Sequence, residues 1–186
     1  LFPIFSIQEL GWTDTTFSQV FSITSVIAGF LGMFIGGYLV DYFGKIKMLT
    51  LYLAFVTLLL AAFAFLTGFW NKPVVMYGFI VLYYTLNTFL CIAVFASGMQ
   101  LCWKTVAATQ FTLYMALSNM GRSVGSALLG ILKTNFTWEY IFLFIAVIPV
   151  IVAVLIQFIN FRKHKLKIDS FSVLEKVLVT PQVITN

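Results

Sequence analysis

Arg122 is the residue whose position most needs a chemical explanation. It lies inside the largely apolar stretch from Ala107 to Leu132, among Thr109, Gln110, Thr112, Tyr114, Ser118, Asn119, Ser123 and Ser126. An arginine at the centre of a membrane span costs roughly 2.5–3.5 kcal/mol on insertion scales, so a bundle interior or water-filled path is expected around it rather than lipid. At helical spacing Ser118, Arg122 and Ser126 share one face, with Asn119 beside them. A guanidinium on that face can bind a carboxylate or phosphate through two parallel hydrogen bonds. Two readings stay open. Arg122 contacts a solute or gate, or it pairs with a structural carboxylate or helix C-terminus elsewhere, or snorkels to the interface.

Tyr83, Tyr84, Thr85, Asn87 and Thr88 form a second polar cluster in another apolar stretch. Tyr84 and Asn87 are three residues apart and could line the same path, although hydrogen bonding between helices is the commoner use of such residues. The substrate-path candidates are therefore Arg122, Asn119, Ser118, Tyr114, Asn87 and Tyr84. Thr24 and Ser25 are weaker ones.

The residue types that catalysis needs do not converge. Glu9, Asp14, Asp41 and Glu139 fall at or near the ends of apolar stretches, and the single histidine, His164, is close to the C-terminus. An intramembrane enzyme requires a nucleophile and base, or metal ligands, at one depth. Cys91 and Cys102 have neither disulfide nor metal spacing and read as small packing residues. No enzymatic activity, cofactor or metal is expected. Any acid that carries a proton across the bilayer is therefore expected outside these stretches.

The elements that must position these residues follow from composition. Hydrophobic residues make up 61% of the chain and charged residues 9%, against about a quarter charged in soluble domains. Membrane lipid is thus the first partner. The net charge of +5 does not signal nucleic acid, because the basic residues are few and sit at the ends of apolar stretches. Five stretches approach the ~20 residues that span a ~30 Å core: Phe17 to Val40, Met48 to Thr67, Val74 to Ser97, Ala107 to Leu132 and Trp138 to Asn160, the last with a kink expected at Pro149. Leu1 to Ser6 reads as a helix end, and Gln8 to Asp14 as a polar turn in which Thr13 or Asp14 caps the next helix. The chain opens Leu1-Phe2-Pro3, without an initiator methionine or cleavable leader, and reads as a piece of a longer polypeptide.

With loops on alternate sides, Lys45, Lys47, Lys104, Arg162, Lys163, Lys165, Lys167 and Lys176 fall on one side and only Lys72 and Lys133 on the other. That bias makes the first side cytoplasmic and places the C-terminus inside. Trp12, Trp70 and Trp138 then lie near the outer interface and Trp103 near the inner one, as an aromatic belt requires. The basic run from Phe161 to Lys167 is suited to anchoring topology or meeting anionic lipid.

The segment from Gly32 to Lys47 joins the first two spans. Gly32 and Gly36 lie four apart on one face and permit close helix approach, as do Gly121 and Gly125. Asp41 sits where a helix leaves the hydrocarbon, and Gly44 can take the positive φ that closes it. Gly37, Leu39, Asp41, Gly44 and Lys45 resemble the signature loop of the major facilitator superfamily, roughly G-x-L-a-D-R/K-x-G-R/K-R/K-x. Tyr42 and Ile46 replace two of its basic positions, and Lys47 is displaced by one. In that family the loop joins the second and third helices and recurs, more degenerate, between the eighth and ninth. This copy is similar to the second.

The resemblance implies an all-α, polytopic membrane helix bundle carrying five complete transmembrane helices of a six-helix half. Residues 1–163 would form the C-terminal bundle, a stub of helix 7 followed by helices 8 to 12, and 164–186 a cytoplasmic tail. The N-terminal six-helix half of the same chain, missing from this sequence, would be the main protein partner. The implied function is a secondary active transporter working by alternating access on a small-molecule substrate. In that family the loop aspartate, matched by Asp41, is associated with a charge contact between helices that steadies one conformation; otherwise it is a helix-end charge kept in water.

A narrower resemblance comes from Ala108-Thr109-Gln110-Phe111-Thr112-Leu113, then Gly121-Arg122, Gly130 and Trp138. It is similar to the eleventh-helix region of AmpG-like muropeptide permeases, approximately A-T-Q-Y-A-L…G-R…G…G-W, and Leu10-Gly11-Trp12-Thr13 is also similar to theirs. That implies import of peptidoglycan-derived muropeptides, or of a related anionic or zwitterionic solute, across an inner membrane. The alternative is a complete five-span scaffold or assembly protein whose basic tail contacts partners.

Overall fold

The computed structural model describes residues 1–161, 163, 164 and 166–171. Arg162, Lys165 and Lys176, and the expected tail from residue 172 onward, lie outside the described residues. The elements are α1 (Phe2–Gln8), α2 (Asp14–Leu31), a π-helical turn (Gly32–Gly36), α3 (Gly37–Phe43), α4 (Lys45–Phe65), α5 (Pro73–Leu101), α6 (Ala107–Asn135) and α7 (Trp138–Phe158). No strand occurs among the described residues, so the architecture is an all-α helix bundle.

Local chemistry sets the helix ends. The Thr13 hydroxyl accepts a hydrogen bond from the Thr16 N–H at 3.2 Å and caps α2. From there α2, the π turn and α3 run as one rod, Asp14–Phe43, of 30 residues. At 1.5 Å per residue it is about 45 Å long, so it must tilt or protrude from a ~30 Å core. The rod ends at Gly44, whose φ of +96° and ψ of 136° are closed to most residues with a Cβ. At its far end α4 is closed by the Trp70 indole N–H, which donates to the Phe63 carbonyl at 3.0 Å. Pro73 starts α5, where a missing N–H costs nothing. Pro149 lies inside α7 without interrupting it, as transmembrane helices tolerate.

Four rods are long and apolar enough to cross a membrane: Asp14–Phe43, Lys45–Phe65, Pro73–Leu101 and Trp138–Phe158. The fifth expected span, α6, is a helix of 29 residues and long enough, but its polar residues leave it too hydrophilic to count with the others.

Packing is uneven. Helix α4 lies against α7 and α5, and α5 also packs on α2, whereas α6 touches α5 and α7 only lightly. At one end of the bundle an aromatic cluster gathers around Phe5 and Phe142, both fully buried. The Phe5 ring lies 5.1 Å from Trp70, Trp138 and Phe142, and Phe63 stacks on Phe79 with centroids 3.7 Å apart. Such ring pairs contribute roughly 0.5–1.5 kcal/mol each beyond area burial. A second core of Val40, Met48, Leu49, Tyr52, Leu53 and Ala93 joins α3, α4 and α5 near the Gly44 turn.

Tryptophan placement follows the bundle ends. Trp70 and Trp138 share the Phe5 cluster, and Trp12 lies 5.2 Å from Tyr77 in the first turns of α5. Trp103 is at the other end, 6.0 Å from Phe171.

Candidate transport site

All six polar candidates lie on α5 and α6, two helices that touch only lightly and leave a cleft between them. The ring of Phe111 lies 6.1 Å from Phe95, and a Cβ built on Gly98 would sit 3.7 Å from the Tyr114 ring. The Arg122 guanidinium is within electrostatic range of the Cys91 thiol. On α6, Phe111, Tyr114, Ser118 and Arg122 follow one another at three- and four-residue spacing and so continue one face. On α5, Asn87, Cys91, Phe95 and Gly98 do the same. Thus Phe111, Tyr114 and Arg122 of α6 lie near the face of α5 that carries Cys91, Phe95 and Gly98.

Leu129 alone among the 29 residues of α6 is buried. Ser118, Asn119 and Arg122 are exposed, and Tyr114 is 41% exposed. Ser123 and Ser126 donate to the Asn119 and Arg122 carbonyls at 3.3 and 3.0 Å. These bonds return the hydroxyls to their own helix and leave the guanidinium as the face's charged group. The side chains of Arg122 and Asn119 make no hydrogen bond or ion pair among the described residues, nor does the side chain of Asn87, which is half-buried.

Tyr84 points elsewhere. Its ring lies 5.1 Å from Phe21 on α2 and 6.2 Å from Phe2 on α1, so it belongs to the aromatic packing that joins α1, α2 and α5. Sequence spacing aligned Tyr84 with Asn87, but the turn between them lets the two side chains face different neighbours. None of the six candidates lines the apolar cavities between α4 and α5 or between α6 and α7.

The two glycine pairs differ sharply. A Cβ on Gly32 would come 2.8 Å from Thr88 Cγ2 and force a shift, and one on Gly36 would press on Phe89 at 3.0 Å, so the glycines let α5 approach closely. Thr88 fits because its hydroxyl donates to the Tyr84 carbonyl at 2.8 Å, leaving the methyl to face Gly32. Gly121 and Gly125 have nothing within 4 Å of a built Cβ, so the close contact expected of them is not made among the described residues. At Gly125 the space is a cavity shared with Phe144, Ile145 and Ile148 of α7 rather than a close helix contact.

The loop residues also have definite places. Asp41 is exposed at the end of α3 and makes no ion pair among the described residues, with Lys45 and Lys47 following across Gly44. At the opposite end Lys133 Nζ lies 3.9 Å from Glu9 Oε2 and 4.4 Å from the Trp138 ring centroid, linking the α1–α2 turn to the α6–α7 turn.

Several features escaped the sequence reading. The π turn had only its glycines as a signal. Gln110 accepts from the Trp103 N–H at 2.7 Å and so organises the α5–α6 connection. Thr24 is 1% exposed with an unpartnered hydroxyl, although sequence ranked it low. Cys91 and Cys102 are free thiols, and Cys102 donates to the Gly98 carbonyl at 3.2 Å. Among the described residues no cluster of His, Cys, Asp or Glu could hold a metal ion.

No curated protein and no solved structure matches this chain. A family model does, over residues 1–183. That match covers nearly the whole length, and the chain belongs to the Major Facilitator Superfamily.

Proposed function

We propose that this chain is the C-terminal half of a two-lobed carrier and that its α5–α6 cleft forms one wall of the solute path. The observation that carries the reading is Arg122: an exposed guanidinium on a long helix that buries Leu129 alone, beside four rods apolar enough to cross a membrane. A helix so polar and so little covered is suited to face a water-filled path and a second lobe rather than lipid. The N-terminal six-helix half would supply the opposing wall, and the two lobes would rock around a site near the midplane. In this reading the Gly32–Gly36 contact holds the α2–α5 pair rigid, and the Asp41–Lys45 hairpin works at the inner gate. The C-terminus would be cytoplasmic and the membrane an inner one.

The solute would be anionic or zwitterionic, because Arg122 offers a fork of donors to a carboxylate or phosphate. The likeness of Ala108–Leu113 and Gly121-Arg122 to muropeptide permeases favours peptidoglycan-derived muropeptides within that class. A scaffold role is not favoured by the family, whose members are transporters.

Uptake by the full-length transporter tests the proposal. Hydrogen bonds to a charged group contribute about 1.5–3 kcal/mol, so Arg122→Gln should lower uptake roughly tenfold to a hundredfold at normal expression. Arg122→Lys should restore part of it. Unchanged uptake in Arg122→Gln would remove the residue from the path. A thermal-shift screen against muropeptides, sugars, peptides and nucleotides distinguishes the solute classes, and stabilisation by neutral sugars alone would overturn the anionic assignment.

A further inference from the structure

The groove between α4 and α5 is unlike the rest of the exposed surface. One cavity of about 600 Å³ lies among α3, α4 and α5, lined by Lys47, Leu51, Tyr52, Phe55 and Leu86 among others. A second of about 400 Å³ shares Phe55 and Leu86 and continues to Leu58 and Ala62. Together they make one trough along α4. From Lys47 to Ala62 it runs about 22 Å at 1.5 Å per residue, against about 15 Å for the hydrocarbon half of one leaflet.

Its chemistry changes along its length. Leu51, Phe55, Leu58 and Leu82 are 44%, 46%, 65% and 49% exposed and form apolar walls. Lys47 is the charged residue in the lining and stands at the Gly44 end, where its stem can follow the apolar wall while the ammonium reaches headgroup level. Lys45 and Lys47 outweigh Asp41 in the hairpin, so that end is net positive. In the floor, Tyr52 is 3% exposed and its hydroxyl has no partner among the described residues. Helical side chains lean toward their N-terminus, which carries this hydroxyl toward the Lys47 end.

We propose that the trough is a binding site for one anionic phospholipid, with an acyl chain lying along α4 and the headgroup phosphate met by Lys47. Three observations converge on that occupant: an apolar channel long enough for a leaflet, a cation at its mouth, and rods whose composition places the trough in a bilayer. The inference is independent of Arg122 and of the direction of transport.

Native mass spectrometry of the full transporter, titrated separately with phosphatidylglycerol and phosphatidylcholine of matched chains, tests it. The expected result is one phosphatidylglycerol retained about fivefold more tightly than phosphatidylcholine, the ratio equivalent to about 1 kcal/mol per basic residue near an anionic surface. Lys47→Gln should bring the two lipids level. Lys45→Gln, whose side chain lies outside the lining, should change retention by less than twofold. Leu51→Trp or Leu58→Trp, both at exposed positions, should fill the trough and displace either lipid. Equal retention of the two lipids by the wild-type protein would overturn the proposal. Equal losses from Lys45→Gln and Lys47→Gln would reduce the effect to diffuse surface attraction, and unaltered binding in both tryptophan variants would place the lipid elsewhere.

Discussion

Helices α6 and α7 are consecutive and yet make opposite use of their surfaces. α7 buries Trp138, Ile141, Phe142 and Ala146 against the rest of the bundle, while α6 buries Leu129 alone. Their sequences explain the contrast. α7 is apolar almost throughout, so close packing of rings and aliphatic chains can hold it, whereas α6 interleaves hydroxyls, amides and a guanidinium that gain nothing from an apolar neighbour. In a bilayer, where lipid is as apolar as leucine, helices are held by fit rather than by escape from water. In the proposed carrier the fitted helices act as scaffold, and the polar, little-covered helix is the one that would meet a solute and a second lobe.

The most direct way to break the contrast is to damage the packed side. Phe142→Ala would open a void among Phe2, Phe5, Phe63, Trp70 and Trp138. The expected loss is about 3 kcal/mol, the low end for a core phenylalanine because lipid recovers part of the transfer energy. Unfolding in mixed micelles would measure it, and a change under 1 kcal/mol would show that the cluster is loosely packed. The next effect comes from the glycines. Gly32→Ala must push Thr88 Cγ2 away from 2.8 Å and should cost about 2 kcal/mol through overpacking. Gly121→Ala meets nothing within 4 Å and should leave this chain as stable or slightly more so, since alanine favours helix by up to about 1 kcal/mol. If Gly121→Ala nevertheless lowers uptake by the full transporter, the face is one that docks.

Smaller effects sharpen the picture at the bundle ends. Gly44→Ala would force a side chain into φ +96° and should cost about 1.5 kcal/mol of backbone strain, measurable as a lower melting temperature. Recovery of wild-type stability by Gly44→Asn would show that the turn relaxes into the ordinary left-handed region. Smallest is Glu9→Gln. Its partner Lys133 is 3.9 Å away and both side chains are more than a third exposed or close to it, at 46% and 34%. Solvent screening should keep the loss below about 0.5 kcal/mol.

Much of the scaffold was legible because membrane helices announce themselves locally. Apolar length marked the rods, Thr13 marked the start of α2, and Gly44 marked the hairpin, each from a few adjacent residues. Boundaries moved outward by several residues, as at Leu101 and Asn135, because polar residues can extend a helix beyond the hydrocarbon. The site was less legible. Periodicity placed Ser118 and Arg122 on one helical face, but it could not tell that Tyr84 turns toward Phe21 and Phe2. Nor could it tell that the glycines of α2 meet Thr88 and Phe89 while those of α6 meet nothing.

What the sequence determined by itself was the class of molecule and its local joints, since hydropathy, glycine and proline act through the few residues around them. What only the tertiary structure decided was which face of each rod meets which other. That choice depends on shape at separations no local pattern encodes: Gly32 is legible as small, but only the fold puts Thr88 against it. The same holds for Arg122, whose charge is written in the chain but whose lack of cover is a property of the packed bundle.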